Sequence, residues 1–236
     1  MVAPVSVQNR QAIDKSLDDL FAAERSARRL HDELAKLPQD RLLEALTEAL
    51  KNAQKEADED EATLRLVRIA SLLGELSGPK AVDALIDVLA STHPEARHAA
   101  GEELEQLAFE RFKEVALGVE RAIKRLPLGS PALPELPYIL AEVPEPGAIK
   151  LIAMFLDHKD ADAVAAAIEA IVEVGDPSAA PLLERLTEDT RTVDIADDGG
   201  GEATSEVTIG ELASEALDLL TPEEDDGDDG SAGRAS

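Results

Sequence analysis

The chain has 236 residues, of which 44% are hydrophobic and 2% aromatic, and its formal net charge at pH 7 is −27. The absence of cysteine excludes disulfide bonds, thiolate metal sites and a cysteine nucleophile, and the scarcity of aromatic side chains favours closely packed helices over a β-sandwich. So large a negative charge disfavours nucleic acid and anionic lipid as partners, because both are bound mainly through basic side chains.

The negative charge is concentrated towards the C-terminus, where residues 126–236 carry 26 acidic and 5 basic side chains. This distribution favours a protein partner with a basic or mixed-charge surface. The first residues lack a basic region followed by an apolar run, and no stretch approaches the roughly 18 apolar residues of a membrane span. We therefore expect a cytoplasmic protein without membrane insertion.

Residues 10–36 place apolar side chains at three- and four-residue steps with charged side chains between them, which predicts an amphipathic helix. The apolar positions are Ile13, Leu17, Leu20, Ala27, Leu30 and Leu34. We expect the segment 1–37 to act in one of two ways. It folds back as a cap on the following helices, or its apolar side stays exposed as a seam for a homodimer or for the groove of a partner.

The rest of the chain repeats itself. Pro79, Pro146 and Pro177 are each followed by alanine two positions later and by large apolar residues six and nine positions later. The segments between these stretches also align: Ala96, Ala100, Leu104 and Leu107 match Ala163, Ala167, Ile171 and Val174, and the last three of these match Ala213, Leu217 and Leu220. Each repeat is thus predicted to be two helices, and neighbouring repeats must stack to bury both apolar sides.

An alanine-rich helix that ends in VGDP and continues as SAAPLLERL resembles the bacterial HEAT-repeat proteins, including repeats of the phycobilisome-lyase type. The resemblance implies an all-α fold, a HEAT-like α-solenoid of about five helix pairs within residues 38–221. The expected repeats are 40–76, 79–108, 110–143, 146–174 and 177–220. It also implies a non-enzymatic scaffold or adaptor for protein–protein interaction; a lyase-like or chaperone-like subunit of an enzyme complex is the alternative.

Two repeats depart from the pattern. Segment 127–146 holds six prolines, so we expect a short second helix that begins near Pro134 to Pro137, with a change of curvature or a break between subdomains. In the last repeat, β-branched and polar residues alternate on both sides of a glycine-rich turn, which predicts a β-hairpin insertion near 190–208. The acidic tail, residues 222–236, is almost free of apolar side chains and is predicted to be disordered.

No motif indicates catalysis, a metal or a cofactor. None of His31, His93, His98 and His158 is followed by glutamate, the dipeptide through which HEAT-like di-iron hydroxylases bind their metal. The run DIADDGGGE lacks a calcium-loop ligand at Ala196. We therefore expect no enzyme activity, no metal and no cofactor.

One surface pattern remains. Glu102, Glu169 and Glu215 occupy the same position of successive second helices, so stacking would place them in a row, and Glu173, Glu211 and Asp218 join this row at helical spacing. Such a stripe of carboxylates would bind lysine and arginine side chains of a partner. The competing explanation is a solvated helix surface, since glutamate is a good helix former.

Overall fold

The computed structural model describes residues 7–196 and 204–221, which form ten α-helices and one two-stranded β-hairpin. The helices are α1 (Val7–Ala35), α2 (Gln39–Ala53), α3 (Glu59–Gly74), α4 (Pro79–Leu89), α5 (Pro94–Arg125), α6 (Ala132–Ala141), α7 (Ala148–Ile152), α8 (Ala161–Val174), α9 (Ala180–Glu184) and α10 (Ile209–Leu220), and the strands are β1 (Thr192–Ala196) and β2 (Thr204–Thr208). The all-α fold of paired helices with a hairpin insertion is confirmed. The predicted tail, 222–236, lies outside the described residues.

The chain divides into two compact units, Met1–Glu103 and Leu104–Ser236. The division falls within α5, which kinks at Arg111, where the backbone leaves helical geometry (φ −143°, ψ 48°). The units therefore do not divide in the proline-rich segment, where we considered a break between subdomains. The predicted boundaries at 37 and 221 stay predictions.

In the first unit, α2 packs on α3 and α3 on α4. Helix α4 begins at Pro79, directly after Gly78, whose positive φ of 94° suits glycine. Seven of its eleven side chains are buried, among them Leu85 and Ile86, and each buried side chain of this size contributes about 2 kcal/mol of hydrophobic stabilisation. Helix α3 also buries large apolar side chains, among them Leu66 and Leu73.

In the second unit, α8 packs against both α6 and α10. Helix α6 begins at Ala132, slightly before the predicted start at Pro134 to Pro137, and includes Pro137 in its interior. Pro134 is tolerated because the first turn of a helix needs no amide donors. The second helix of the proline-rich repeat is short, as predicted.

The boundary between the last two repeats follows the sequence pattern. Helix α8 ends at Val174 and is capped by Gly175, whose backbone is left-handed (φ 68°). Asp176 then accepts a hydrogen bond from the Ser178 amide, and Pro177 begins the next turn. That turn is a 3-10 helix, Pro177–Ala179, and α9 is only five residues long. Helix α7 is likewise short and is followed by the 3-10 turn Phe155–Asp157. In both of the last two repeats, the first helix is therefore interrupted and not continuous as expected.

The hairpin joins α9 to α10. Strands β1 and β2 are antiparallel with Val193 opposite Val207, and Val193 is buried. Thr208 ends β2 and starts α10 with a capping box, in which its hydroxyl accepts from the Glu211 amide and the Glu211 carboxylate accepts from the Thr208 amide.

Candidate protein-interaction surface

Three neighbouring helices of the second unit, α6, α8 and α10, are referred to below as the acidic helices. Their sequences contain seven carboxylates and no lysine, arginine or histidine. The carboxylates are Glu135, Asp162, Glu169, Glu173, Glu211, Glu215 and Asp218. The first-unit helix α3, by contrast, carries Arg65 and Arg68 among its acids.

Helix α8 shows how packing selects these side chains for the surface. Eight of its fourteen residues are buried, mostly alanine, valine and isoleucine. All residues of this helix are described, and its exposed side chains are Asp162, Glu169 and Glu173. They are seven and four residues apart, which places them on one side of the helix. The surface of α8 is therefore a narrow line of carboxylates.

The Tyr138 side chain of α6 contacts the line of carboxylates on α8. Its hydroxyl donates a short hydrogen bond to the Glu169 carboxylate. Burial, this hydrogen bond and the nearby charges of Glu169, Glu135 and Glu173 raise the pKa of Tyr138 well above its usual value. The charges of three carboxylates of α6 and α8 thus act on one tyrosine, which is 36% exposed.

On α10 the predicted residues have two different roles. Glu211 serves the capping box, and its hydrogen bonds from the Thr208 amide and hydroxyl lower the pKa of its carboxyl group. Glu215 and Asp218 follow one and two turns later on the same side of the helix, and both are exposed. Within the described part of the chain, neither they nor Glu173 has a basic partner.

Glu102 belongs to α5 in the first unit, while the other predicted residues belong to the second. It is exposed, and its carboxylate lies 3.5 Å from the His98 ring one turn earlier. The row that would align Glu102 with Glu169 and Glu215 stays a prediction.

Two arginines of the second unit pair with residues outside the acidic helices. Arg185 pairs with Asp157 at 2.7 Å. Arg191 pairs with Asp189 and donates a hydrogen bond of 2.8 Å to the carbonyl oxygen of His158. These cations tie loops and short helices of the second unit together.

The histidines other than His98 also have polar contacts within the chain. His31 lies 2.6 Å from the Glu75 carboxylate, His93 lies 3.0 Å from the Thr63 hydroxyl, and His158 Nδ1 accepts from the Asp160 amide. Over residues 7–196 and 204–221, no three histidine or acidic side chains lie close enough together to hold a metal ion. No helix in these ranges is long and apolar enough to span a bilayer.

The sequence analysis missed Tyr138 and Glu135. A signal was present, because Tyr138 and Glu169 are 31 residues apart, the same separation as Pro146 and Pro177. Aligning α6 with α8 at this period would have placed Tyr138 beside Glu169. The proline-rich composition of α6 obscured that alignment.

No family model and no curated protein matches the chain. Among solved structures it is similar to a designed armadillo repeat protein in complex with the peptide (KR)4, at 19% identity over 83% of this chain and 92% of that one, with a TM-score of 0.32. Two engineered proteins are also similar. One has 18% identity over 92% of this chain and 94% of its own, with a TM-score of 0.34. The other has 19% identity over 84% of this chain and 89% of its own, with a TM-score of 0.30. Values this low assign neither a family nor a partner.

Proposed function

We propose that the chain is a HEAT-type repeat protein that acts as a non-enzymatic scaffold, and that the acidic helices bind a basic segment of another protein. The observation that supports this most directly is the charge of α6, α8 and α10, which carry seven carboxylates and no basic side chain. A helix surface that is merely solvated usually mixes both signs, as α3 does with Arg65 paired to Glu61.

The arrangement favours a cationic partner on energetic grounds. Glu169 and Glu173 are one turn apart, as are Glu211 and Glu215, and like charges at this spacing destabilise a helix by roughly 0.2–0.5 kcal/mol per pair. Lysine or arginine side chains of a partner would remove that repulsion. The carboxylates would also steer a basic partner towards this surface and reject an acidic one.

Tyr138 adds a second kind of contact. It is partly exposed, its hydroxyl donates to Glu169, and the charges of Glu135 and Glu173 also act on it. An arginine or lysine of the partner that reaches these carboxylates can lay its apolar stem or its charged group against the ring. The proposed recognition unit is thus a cation held by carboxylates beside an aromatic ring.

Fluorescence anisotropy with a labelled (KR)4 peptide tests the proposal on the full chain. The test variant is Glu169→Gln, Glu173→Gln, Glu215→Gln and Asp218→Asn combined. The control removes four exposed charges of the first unit: Asp40→Asn, Glu44→Gln, Glu48→Gln and Glu59→Gln. Exposed ion pairs contribute about 0.2–1 kcal/mol each, so the loss of four should weaken binding by about fourfold or more. The control should change little beyond the loss of long-range attraction.

Two further measurements complete the test: binding at low and high salt, and binding by a chain without the acidic tail. Binding should weaken steeply between low and high salt, because exposed charges are screened within about 10 Å at 0.1 M ionic strength. A chain truncated after Thr221 should keep the difference between test variant and control. Equal affinity of the two variants, or loss of binding on truncation alone, contradicts a role for the acidic helices.

A further inference from the structure

Helix α1 is held against α3 by polar contacts rather than by a buried apolar side. No side chain from 10 to 35 is buried, and those that are partly covered lie in the second half of the helix: Glu24, Ser26, Ala27, His31 and Ala35. Glu24 lies 3.7 Å from Arg68 of α3, and His31 lies 2.6 Å from Glu75, the residue that follows α3. Because two partly covered alanines bury little apolar area, the docking of α1 depends strongly on these two contacts.

A second carboxylate, that of Glu103 on α5, belongs to the same group of side chains. Its oxygen occupies the place that a Cβ atom would take on Gly74, the last residue of α3, so the absence of a side chain there makes room for it. The charges of His31 and Glu75 both act on Glu103. His31, Glu75 and Glu103 are referred to below as the His31 cluster. The cluster joins α1, the end of α3 and α5 within the first unit.

The His31 cluster carries an excess of negative charge when its histidine is neutral. Glu102, the neighbour of Glu103 on α5, adds a further carboxylate whose charge acts on Glu103. Burial, followed by the charges of Glu75 and Glu102, raises the pKa of the Glu103 carboxyl group. The charge of His31 and a hydrogen bond from Ser71 offset only part of this rise. Because these groups interact, an added proton belongs to the cluster as a whole rather than to one side chain.

We propose that the His31 cluster takes up a proton as the pH falls through the neutral range and then holds α1 more firmly, so that pH controls the docking of α1. A neutral imidazole donates one hydrogen bond to Glu75, whereas an imidazolium also attracts the second carboxylate. A proton on Glu103 instead removes its repulsion with Glu75 and the cost of burying its charge.

Both positions for the added proton act in the same direction. A carboxyl group with a raised pKa stabilises the docked state at low pH, and this contribution is lost as the pH rises through the pKa of the docked state. An imidazolium beside carboxylates likewise stabilises the docked state only while it keeps its proton. Helix α1 should therefore be held firmly in weakly acidic solution and more loosely in weakly basic solution.

Hydrogen exchange of the full chain, followed by mass spectrometry, tests the proposal between about pH 5.5 and about pH 8.5, the range in which histidine changes charge. Each rate is divided by the intrinsic exchange rate at the same pH, so that the protection of α1 amides reports local opening. Amides of residues 24–35 should be protected about two- to fivefold more at the acidic end, as expected when one exposed ion pair is gained. Amides of α8 in the second unit are the internal reference and should not show this change.

Three variants separate the proton-dependent contact from a merely structural one. His31→Gln keeps a hydrogen-bond donor but cannot become cationic, so α1 should keep the low protection of the basic end at every pH. Glu103→Gln removes the buried charge and should raise the protection of α1 at the basic end. His98→Gln changes a largely exposed histidine beside Glu102 and, as the matched control, should keep the wild-type pH dependence.

Unchanged protection of α8 in each variant shows that the chain is folded. A wild type whose α1 protection is the same at both ends of the pH range overturns the proposal, as does α1 protection that rises with pH. A His31→Gln variant that keeps the wild-type pH dependence, or a Glu103→Gln variant that loosens α1, also overturns it.

Discussion

The Tyr138 hydroxyl on α6 donates a hydrogen bond to the Glu169 carboxylate on α8, and so links the second helices of two successive repeats. This contact can be followed directly by spectroscopy, because Tyr138 is the one tyrosine of the chain and tryptophan is absent. Phenolate absorbance and tyrosine fluorescence therefore report on a single position of the second unit.

Titration of Tyr138 should show ionisation above the ordinary value of 10.0, chiefly because burial disfavours the phenolate and also because the hydrogen bond to Glu169 holds the proton. A raised pKa stabilises the folded state below pH 10, and this contribution is lost as the pH rises through the folded pKa. Glu169→Gln should lower the midpoint, but not fully to that of the urea-unfolded chain, since burial remains. A folded midpoint equal to the unfolded one would contradict the contact.

The helix pairs follow from the sequence because their signals are local. Proline at a helix start, glycine at a helix end and apolar side chains at three- and four-residue steps act within one or two turns, as Gly175 and Pro177 show. The hairpin was predictable for the same reason, since β-branched alternation on both sides of a glycine-rich turn is a local pattern.

The contacts between repeats were not predicted, because they join residues 31 or more positions apart. The Tyr138–Glu169 hydrogen bond and the Arg191 hydrogen bond to the His158 carbonyl depend on how helices and loops pack, which no local pattern encodes. The kink at Arg111 was not predictable either, since residues 102–117 around it contain neither proline nor glycine. Glu211 was predicted as a binding residue on spacing alone, yet it caps α10.

Asp160 should contribute to the stability of the second unit. Its buried carboxylate accepts hydrogen bonds from the Gly129 amide (2.6 Å) and, as the cap of α8, from the Ala163 amide (3.4 Å). Asp160→Ala should lower the free energy of unfolding by about 1–3 kcal/mol, because the cap is lost and a buried donor is left unpaired. Urea unfolding followed by Tyr138 fluorescence measures this loss.

Two further variants test the role of Asp160. Asp160→Asn keeps one acceptor oxygen and should fall between the wild type and the alanine variant. Asp162→Ala removes an exposed carboxylate in the same turn of α8 and should change stability by no more than about 0.5 kcal/mol. Equal losses for positions 160 and 162 would contradict the assigned hydrogen bonds.

Arg191 should stabilise the hairpin insertion far more than Arg185 stabilises α9. Arg191 binds Asp189, whose carboxyl pKa it lowers, and also donates to the His158 carbonyl. Arg191→Ala should lower the free energy of unfolding by about 1–3 kcal/mol, since the largely buried Asp189 loses its partner. Arg185→Ala breaks an exposed pair with Asp157 and should cost less than about 1 kcal/mol.

The effect of Arg191→Ala should depend on pH in a defined direction. A lowered pKa at Asp189 stabilises the folded state above the unfolded value of 3.8, and this contribution is lost as the pH falls through the folded pKa. The difference in unfolding free energy between the wild type and the variant should therefore shrink below about pH 4. A difference that stays constant across that range would mean that the hydrogen bond to the His158 carbonyl, rather than Asp189, accounts for the stabilisation.

Gly210 should be intolerant of any side chain. A Cβ atom at this position would lie 2.6 Å from the Thr187 carbonyl oxygen and 3.1 Å from that of Asp189, and both atoms belong to the backbone. The Gly210 amide also donates to the Asp189 carbonyl at 2.9 Å, which fixes the start of α10 against the loop before β1. Gly210→Ala should therefore destabilise the second unit by about 1–3 kcal/mol, despite the higher helix propensity of alanine. Leu219→Ala, at a largely exposed position of the same helix, is the control and should be nearly neutral in urea unfolding. A stabilised Gly210→Ala variant would show that the loop moves aside without loss.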